Sequence, residues 1–394
     1  MSWVQDLLDA TDKAESPKQY IYWSALTAIS AVMRKNVWIN KGGLYKLYPN
    51  IYVFLIGRSG LRKGFPVSIA KNLVEQADVI RVISGRVSIQ GVIKELSVAK
   101  TSETGKIHTY AQAFLASGEY ASFIIDDPAA VYCLTDLYDT NAHENGWVNT
   151  LAMEQRRLIN PYLVVLGASN ETNLSETLPK SANGGGFVAR TFFVQADSLS
   201  KVNDLMEPAE MLDLSPFSKY LVEISKLAGE ILITEKAKKL YSPWYLALQD
   251  ELRSKEDPTG TLQRIHDQVL KVAMLISLAE STNLIVEEKH MEESMEVCQE
   301  CVPGMRKVML KGGTNALSQQ ISDVIRLLLK HEEISRKLLL RKGWPHFDAF
   351  DLDRITETLT QAGIVKVHKS KEGLMYKLEK EAAAEFLGGE KWKT

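Results

Sequence analysis

Long apolar runs are missing from this 394-residue sequence, and no segment approaches the ~18 uninterrupted apolar residues of a membrane span. Cysteine is scarce: three residues are too few for a disulfide framework. Cys298 and Cys301, three apart in EVCQECV, read as reduced core residues of a helix. No nearby Cys or His cluster supplies the second pair of ligands that zinc needs, so no metal site is expected there. A surplus of one charge is missing too. With 47 Lys+Arg against 49 Asp+Glu, the formal net charge of -2 excludes a protein that coats nucleic acid by bulk positive charge and leaves only local patches. The opening residues MSWVQDLLDATDKAES carry acids early and no basic start followed by an apolar run, so a secretory signal is not expected. A soluble, cytoplasmic chain without membrane association follows as the expectation.

What is present is ordinary globular material, 45% hydrophobic and 24% charged, long enough for two or three packed units. Ser16 to Val37 spaces its apolar residues at helical intervals behind a Ser-Pro start and reads as an amphipathic helix in a lead-in spanning 1–47. Short runs rich in β-branched or aromatic residues follow: Ile51 to Ile56, Val79 to Ser84, Thr109 to Ala116, Tyr162 to Ala168 and Thr191 to Val194. Helical patterns separate them, which predicts an α/β unit over 48–198 with a mainly parallel sheet. The ligand site of such a sheet lies at the carboxyl ends of its strands. Beyond Leu199 the pattern turns helical, as expected for a lid over 199–310. Lys311 to Thr314, with its glycine pair, predicts a linker. The stretch 315–380 orders helices at Ser318 to Lys330, Ser335 to Arg341 and Asp351 to Ala362 before IVKVHKS and LMYKLEK. Three helices and a hairpin are the sequence of a winged helix, with a tail over 381–394.

Directly after the first strand stands GRSGLRKG, followed by a helical pattern. Gly57, Ser59, Gly60, Leu61, Arg62, Lys63 and Gly64 have the context of a phosphate-binding loop. Glycines let backbone N–H groups curl around an anion, the helix start adds its positive end, and Lys63 reaches the outer phosphates. Against G-x-x-x-x-G-K-[ST], Arg62 stands for the second Gly, and Gly64 stands for the Ser or Thr that would hold Mg²⁺. ATP with Mg²⁺ is the expected cofactor. A carboxylate at another strand end would orient the attacking water. Glu119 after AFLASG is preferred, and Asp126 with Asp127 is the alternative. Gly118 stands where a metal-linked Asp is usual.

Asn170 closes the fourth strand and can touch the γ-phosphate or its water if that strand lies beside the first; a turn-capping role is equally open. Arg190, after a glycine run, can reach a neighbouring subunit's nucleotide or stand as a plain surface arginine; Arg264 on the lid reads first as an ordinary exposed helix residue, with phosphate contact from above as the alternative. WVNTLA and RLINP can pair as a hairpin that brings Arg156 and Arg157 to DNA phosphates. Arg336, Lys337, Arg341 and Lys342, with Lys366, His368, Lys369 and Lys371 on the wing, form a further basic set suited to DNA, although such a set is commonly a solvated face.

Taken together, LYPNIYVFLIGRSGLRKG, ASGEYASF, LTDLYDT, INPYLVVLGASNETNLSETLP, NGGGFVARTFFV and RIHDQVLKVAMLISLAE resemble a family of phage and mobile-element ATPases related to the helicase domains of viral and phage primase-helicases. The resemblance spans about Tyr20 to Glu280, and no primase segment is expected. It implies an AAA+ or superfamily III style motor with a helical lid, assembling as a ring, usually a hexamer, in DNA replication beside other phage replication proteins. By motif position it gives Lys63 as the loop lysine, Glu119 as the catalytic acid, Asn170 as the sensor and Arg190 as the arginine finger. The activity it implies is ATP-dependent DNA unwinding or translocation. Two alternatives stand beside it: a slowly hydrolysing, nucleotide-dependent DNA-binding or helicase-loader protein, and a degenerate loop scaffold whose winged helix recruits a partner.

Overall fold

The structure, a computed structural model, describes residues 2–85, 87–97, 100–101, 107–108, 111–118, 128–139, 146–151, 154–170, 186–203, 211–254, 260–313, 316–331, 333–344, 347–370 and 373–379. Two units result, Met1–Gly312 and Gly313–Thr394.

The first unit is built on β1 (Tyr52–Ile56), β2 (Arg81–Ser84), β3 (Gln112–Ser117), β4 (Tyr162–Ser169) and β5 (Thr191–Gln195), in the order β5-β1-β4-β3-β2. Every neighbouring pair is parallel. YVFLI and YLVVLGAS are buried at every position because a central parallel strand is covered on both faces, so its side chains have no solvent side to alternate with. Register sets Ile56 beside Ser169 on one flank and beside Gln195 on the other. The third strand starts at Gln112; the expected start at Thr109 falls outside the described residues.

The helix expected over Ser16 to Val37 is α1 (Lys18–Met33), and its amphipathic reading is corrected: all but a few of its residues are buried. Several residues that look like a polar face are satisfied inside, although the buried Ser24 hydroxyl finds no partner. Tyr20 donates to Ile56 O at 2.6 Å, Thr27 to Trp23 O at 2.6 Å, and Ser30 to Pro49 O at 2.7 Å. Tyr162 in turn donates to Ser30 O at 2.8 Å, fastening the helix to β4. This is core, and α2 (Gly64–Ala77) packs beside it.

The helices after Leu199 share the same core: α3 (Ser215–Ile224), α4 (Glu235–Ser254), α5 (Thr261–Glu280) and α6 (Glu288–Gly313). The linker expected at Lys311 is helix as far as Gly313, because glycines close a helix at its C-terminal end as readily as they open a loop. Cys298 and Cys301 are free thiols in α6, and burial pushes both well above the ordinary thiol range. Among the described residues no helix is long and apolar enough to cross a membrane, and no His, Cys, Asp and Glu group is arranged to hold a metal ion.

The second unit has its own core. Helices Ala316–Lys330, Arg336–Gly343 and Ala349–Gln361 pack with strands Glu333–Ser335, Val365–Ser370 and Gly373–Leu378 around Val324, Leu339, Phe347, Ile355 and Tyr376. The three strands are antiparallel, with Gly373–Leu378 in the middle. The third helix opens on a capping box, in which Asp348 accepts from Phe350 N and Asp351 N, and Asp351 returns a contact to Asp348 N.

Candidate functional site

The carboxyl edge of the sheet carries the glycine loop. Gly57 continues the ladder by donating to Ser169 O at 3.3 Å and is packed so closely that a Cβ would meet Tyr20 Oη and Leu61 Cδ1 at 2.6 Å. Leu61 is buried and pins the middle of the loop, leaving Arg58, Ser59 and Gly60 exposed at its tip. Gly60 (φ 93°) and Arg62 (φ 53°) both adopt the left-handed region. Arg62 thus keeps the backbone turn that the expected glycine would take freely, at a cost of roughly 1 kcal/mol for its Cβ. Its side chain is tied down by an ion pair from Nε to Glu15 Oε2 at 2.8 Å, while Glu15 Oε1 accepts from Asn203 N. The Arg62 hydrogen bond holds the Glu15 carboxyl below its ordinary range.

Lys63 folds back into the loop. Its ammonium donates to Gly57 O at 2.7 Å and Arg58 O at 2.8 Å, and partial burial lowers its pKa. Among the described residues no acceptor meets the backbone N–H of Ser59, Gly60, Arg62, Lys63 or Gly64. A curl of unpaired amides ending in a helix start, with a cation at its centre, is an anion cradle by construction. A Cβ at Gly64 or at Gly118 meets nothing within 4 Å, so each position is open to a larger side chain.

Of the other predicted residues, Asn170 reaches this edge because β4 lies next to β1, and Ser169 donates to its carbonyl at 3.2 Å. Gly118 follows β3 at the same edge. Glu119, Asp126 and Asp127 lie outside the described residues.

Arg190 and Arg264 are not brought to the loop. Arg190 precedes β5, whose first residue pairs level with Tyr52, so it stands at the amino edge, a strand length or roughly 16 Å away from Ile56. It is 6% exposed, paired with Asp139, and donates to Gly186 O at 3.0 Å. Arg264 lies beside it, because α5 is fastened at that edge by Gln268 to Ala189 O and by Lys271 to Asn50. The expectation that Arg264 touches phosphate from above this chain's own loop is therefore corrected: the strand length separates them.

A hairpin is present, Trp147–Leu151 against Glu154–Leu158, but its second strand is EQRRL and shares only Arg157 and Leu158 with the expected RLINP; Arg157 pairs with Val148 and Arg156 with Asn149. Adjacent strand residues point to opposite faces, so the two arginines do not share one surface. In the second unit Lys337 and Lys369 are exposed, as are Arg341, Lys342, Lys366 and His368; Lys371 lies outside the described residues. Arg336 is engaged by Asp353, which raises its pKa further. Sequence reasoning missed Glu15, Asp139, Tyr138, Gln268 and Lys271, each of which acts through a partner far away in the chain. No family model matches the chain, and no curated protein matches it.

Proposed function

We propose that the chain is a P-loop ATPase that binds ATP on the Gly57–Gly64 loop and uses it to act on DNA. The observation that carries this reading is the Lys63 ammonium seated within a curl of unpaired amides between the central strand and α2. The sheet order lends support, since it sets Asn170 beside the loop as a γ-phosphate sensor requires. Lys63 and the amides would bind the phosphates, a Mg²⁺ ion accompanying the nucleotide would supply charge neutralisation, and Glu119 or the Asp126–Asp127 pair would orient water. Three helices with an antiparallel three-stranded sheet support a winged helix in the second unit, with Lys337 and Lys369 available to DNA phosphates. In this reading the motor works as a ring in phage-type replication, as a helicase or translocase. The finger role of Arg190 in a neighbour's site requires its guanidinium to exchange Asp139 for phosphate.

A second reading is favoured by the lack of any side chain at Gly64 and Gly118, where a Mg²⁺ ligand would be expected. Slow hydrolysis and nucleotide-dependent assembly, as in a loader, fit that deficit. Calorimetric titration with ATP, then strand displacement on forked DNA, tests both. Binding that Lys63→Ala abolishes supports the loop, and unwinding separates motor from loader. ATP affinity unchanged by Lys63→Ala rejects the assignment.

A further inference from the structure

At the amino edge of the sheet, opposite the glycine loop, lies a partly open pocket of about 290 Å³. Its walls come from four distant segments: Tyr45–Tyr48, Tyr138–Asp139, Ala189–Arg190 and Arg264–Lys271. The charges facing it do not balance. Asp139 is neutralised by Arg190, and Asp267 by Lys41 at 3.0 Å. Among the described residues neither Arg264 nor Lys271 has a carboxylate within salt-bridge reach. Lys271 is 4% exposed and is held only by neutral partners: Asn50 O at 3.0 Å, Asn50 Oδ1 at 2.8 Å, and the Tyr138 ring below it at 3.9 Å. Burying an ammonium without a counter-charge is costly, and cores rarely retain one without a use for it.

Two polar atoms on the same wall are also unmatched. The Tyr138 hydroxyl and Gln268 Oε1 are buried with no hydrogen-bond partner, although Gln268 Nε2 donates to Ala189 O. The two side chains are 6% and 2% exposed. Buried polar groups are nearly always paired, so an orphan donor and an orphan acceptor beside the buried Lys271 ammonium, with the exposed Arg264 at the rim, point to a missing molecule. That molecule is an anion, to answer Arg264 and Lys271, and it carries a hydroxyl or amine to answer Gln268. The planar guanidinium of Arg264 suits phosphate oxygens in particular.

We propose that this pocket binds a small phosphate monoester of mononucleotide size, held within a single chain by Arg264, Lys271, Tyr138 and Gln268. The site is separate from the glycine loop and does not depend on its assignment. Desolvation pushes Lys271 down to about 7, with Arg190 and Arg264 acting in the same sense against Asp139 and Asp267. A bound phosphate restores its charge, so binding tightens below neutral pH.

The test titrates full-length Lys63→Ala protein with adenosine monophosphate and, separately, with inorganic pyrophosphate, at a concentration where sedimentation reports monomer. One saturable site per chain is expected, weakened tenfold or more by Arg264→Ala and likewise by the isosteric Tyr138→Phe. Absence of saturable binding, or binding that both substitutions leave unchanged, overturns the proposal. Binding that appears only in assembled protein overturns it as well, since the ligand would then belong to a contact between chains. The pyrophosphate titration of protein with an intact loop separates this site from the ATPase reading, because pyrophosphate offers the loop the linked phosphates that adenosine monophosphate lacks. Two sites are expected there, one lost with Lys63 and one with Arg264. A failed loop leaves only the Arg264-dependent site, and a failed pocket leaves only the Lys63-dependent one.

Discussion

Arg62 Nε stands 2.8 Å from Glu15 Oε2, so a residue held in a left-handed turn is anchored to a segment that precedes the whole sheet. Without that partner the turn has only its cost. In a Glu15→Gln background, Arg62→Gly should raise stability by about 1 kcal/mol, because glycine takes φ near +53° without a Cβ clash. Urea denaturation of the two proteins checks this; a loss of stability contradicts the strain.

Gly64 is the first residue of α2, and space for a side chain is open there. On the proposed ATPase reading, Gly64→Thr should fold normally and raise Mg²⁺-dependent ATP turnover several-fold by supplying a hydroxyl at the Mg²⁺-binding position of the loop. Steady-state hydrolysis at varied Mg²⁺ is the measurement. A turnover that does not change removes the idea that this position limits the metal.

For Lys271 the direction of pH dependence is fixed by its lowered pKa. Between about 7 and the ordinary lysine value of 10.5, the unfolded chain holds this proton more tightly than the folded one. Stability owed to this group therefore rises with pH across that window, by at most ~1.4 kcal/mol per unit. Lys271→Met lacks that slope, so wild-type protein should gain on the variant from pH 7 to pH 10. The facing groups Asp139, Arg190, Arg264, Asp267 and Tyr138 are common to both proteins, so the difference reports Lys271 together with its coupling to them. Denaturation curves with a constant gap would show that the ammonium is not buried as described.

In the second unit a methyl on Gly343 would meet the Phe347 ring at 2.0 to 2.6 Å, and Phe347 is a core residue there. Gly343→Ala should cost about 1–3 kcal/mol by overpacking. Hydrogen exchange should quicken across 316–379 and leave the sheet of the first unit unchanged; uniform protection in both units refutes the clash.

The strands were readable because each is a short β-branched or aromatic run with polar or glycine borders, and Thr191 to Val194 shows the limit case, extended by one residue to Gln195. The loop was readable because strand, glycines, lysine and helix are contiguous. The burial of Lys18–Met33 was not, since Thr27 and Ser30 look like a wet face until their hydroxyls are seen spent on Trp23 O and Pro49 O. The amino-edge pocket was hidden for a different reason. Lys46, Tyr138, Arg190 and Lys271 are ordinary residues singly, and only the parallel crossovers assemble them. Arg190 and Arg264 could be named from the sequence, but position along a strand, which decides the edge they serve, could not.

The strand order also constrains synthesis. One flank of Tyr52–Ile56 is covered by Thr191–Gln195, the last strand of the sheet in the chain. On a ribosome, that apolar edge waits on the order of ten seconds for its partner at ordinary elongation rates. The nascent chain must carry an unpaired central strand through that interval, so its folding is governed by long-range pairing and its hazard is aggregation before Gln195 emerges.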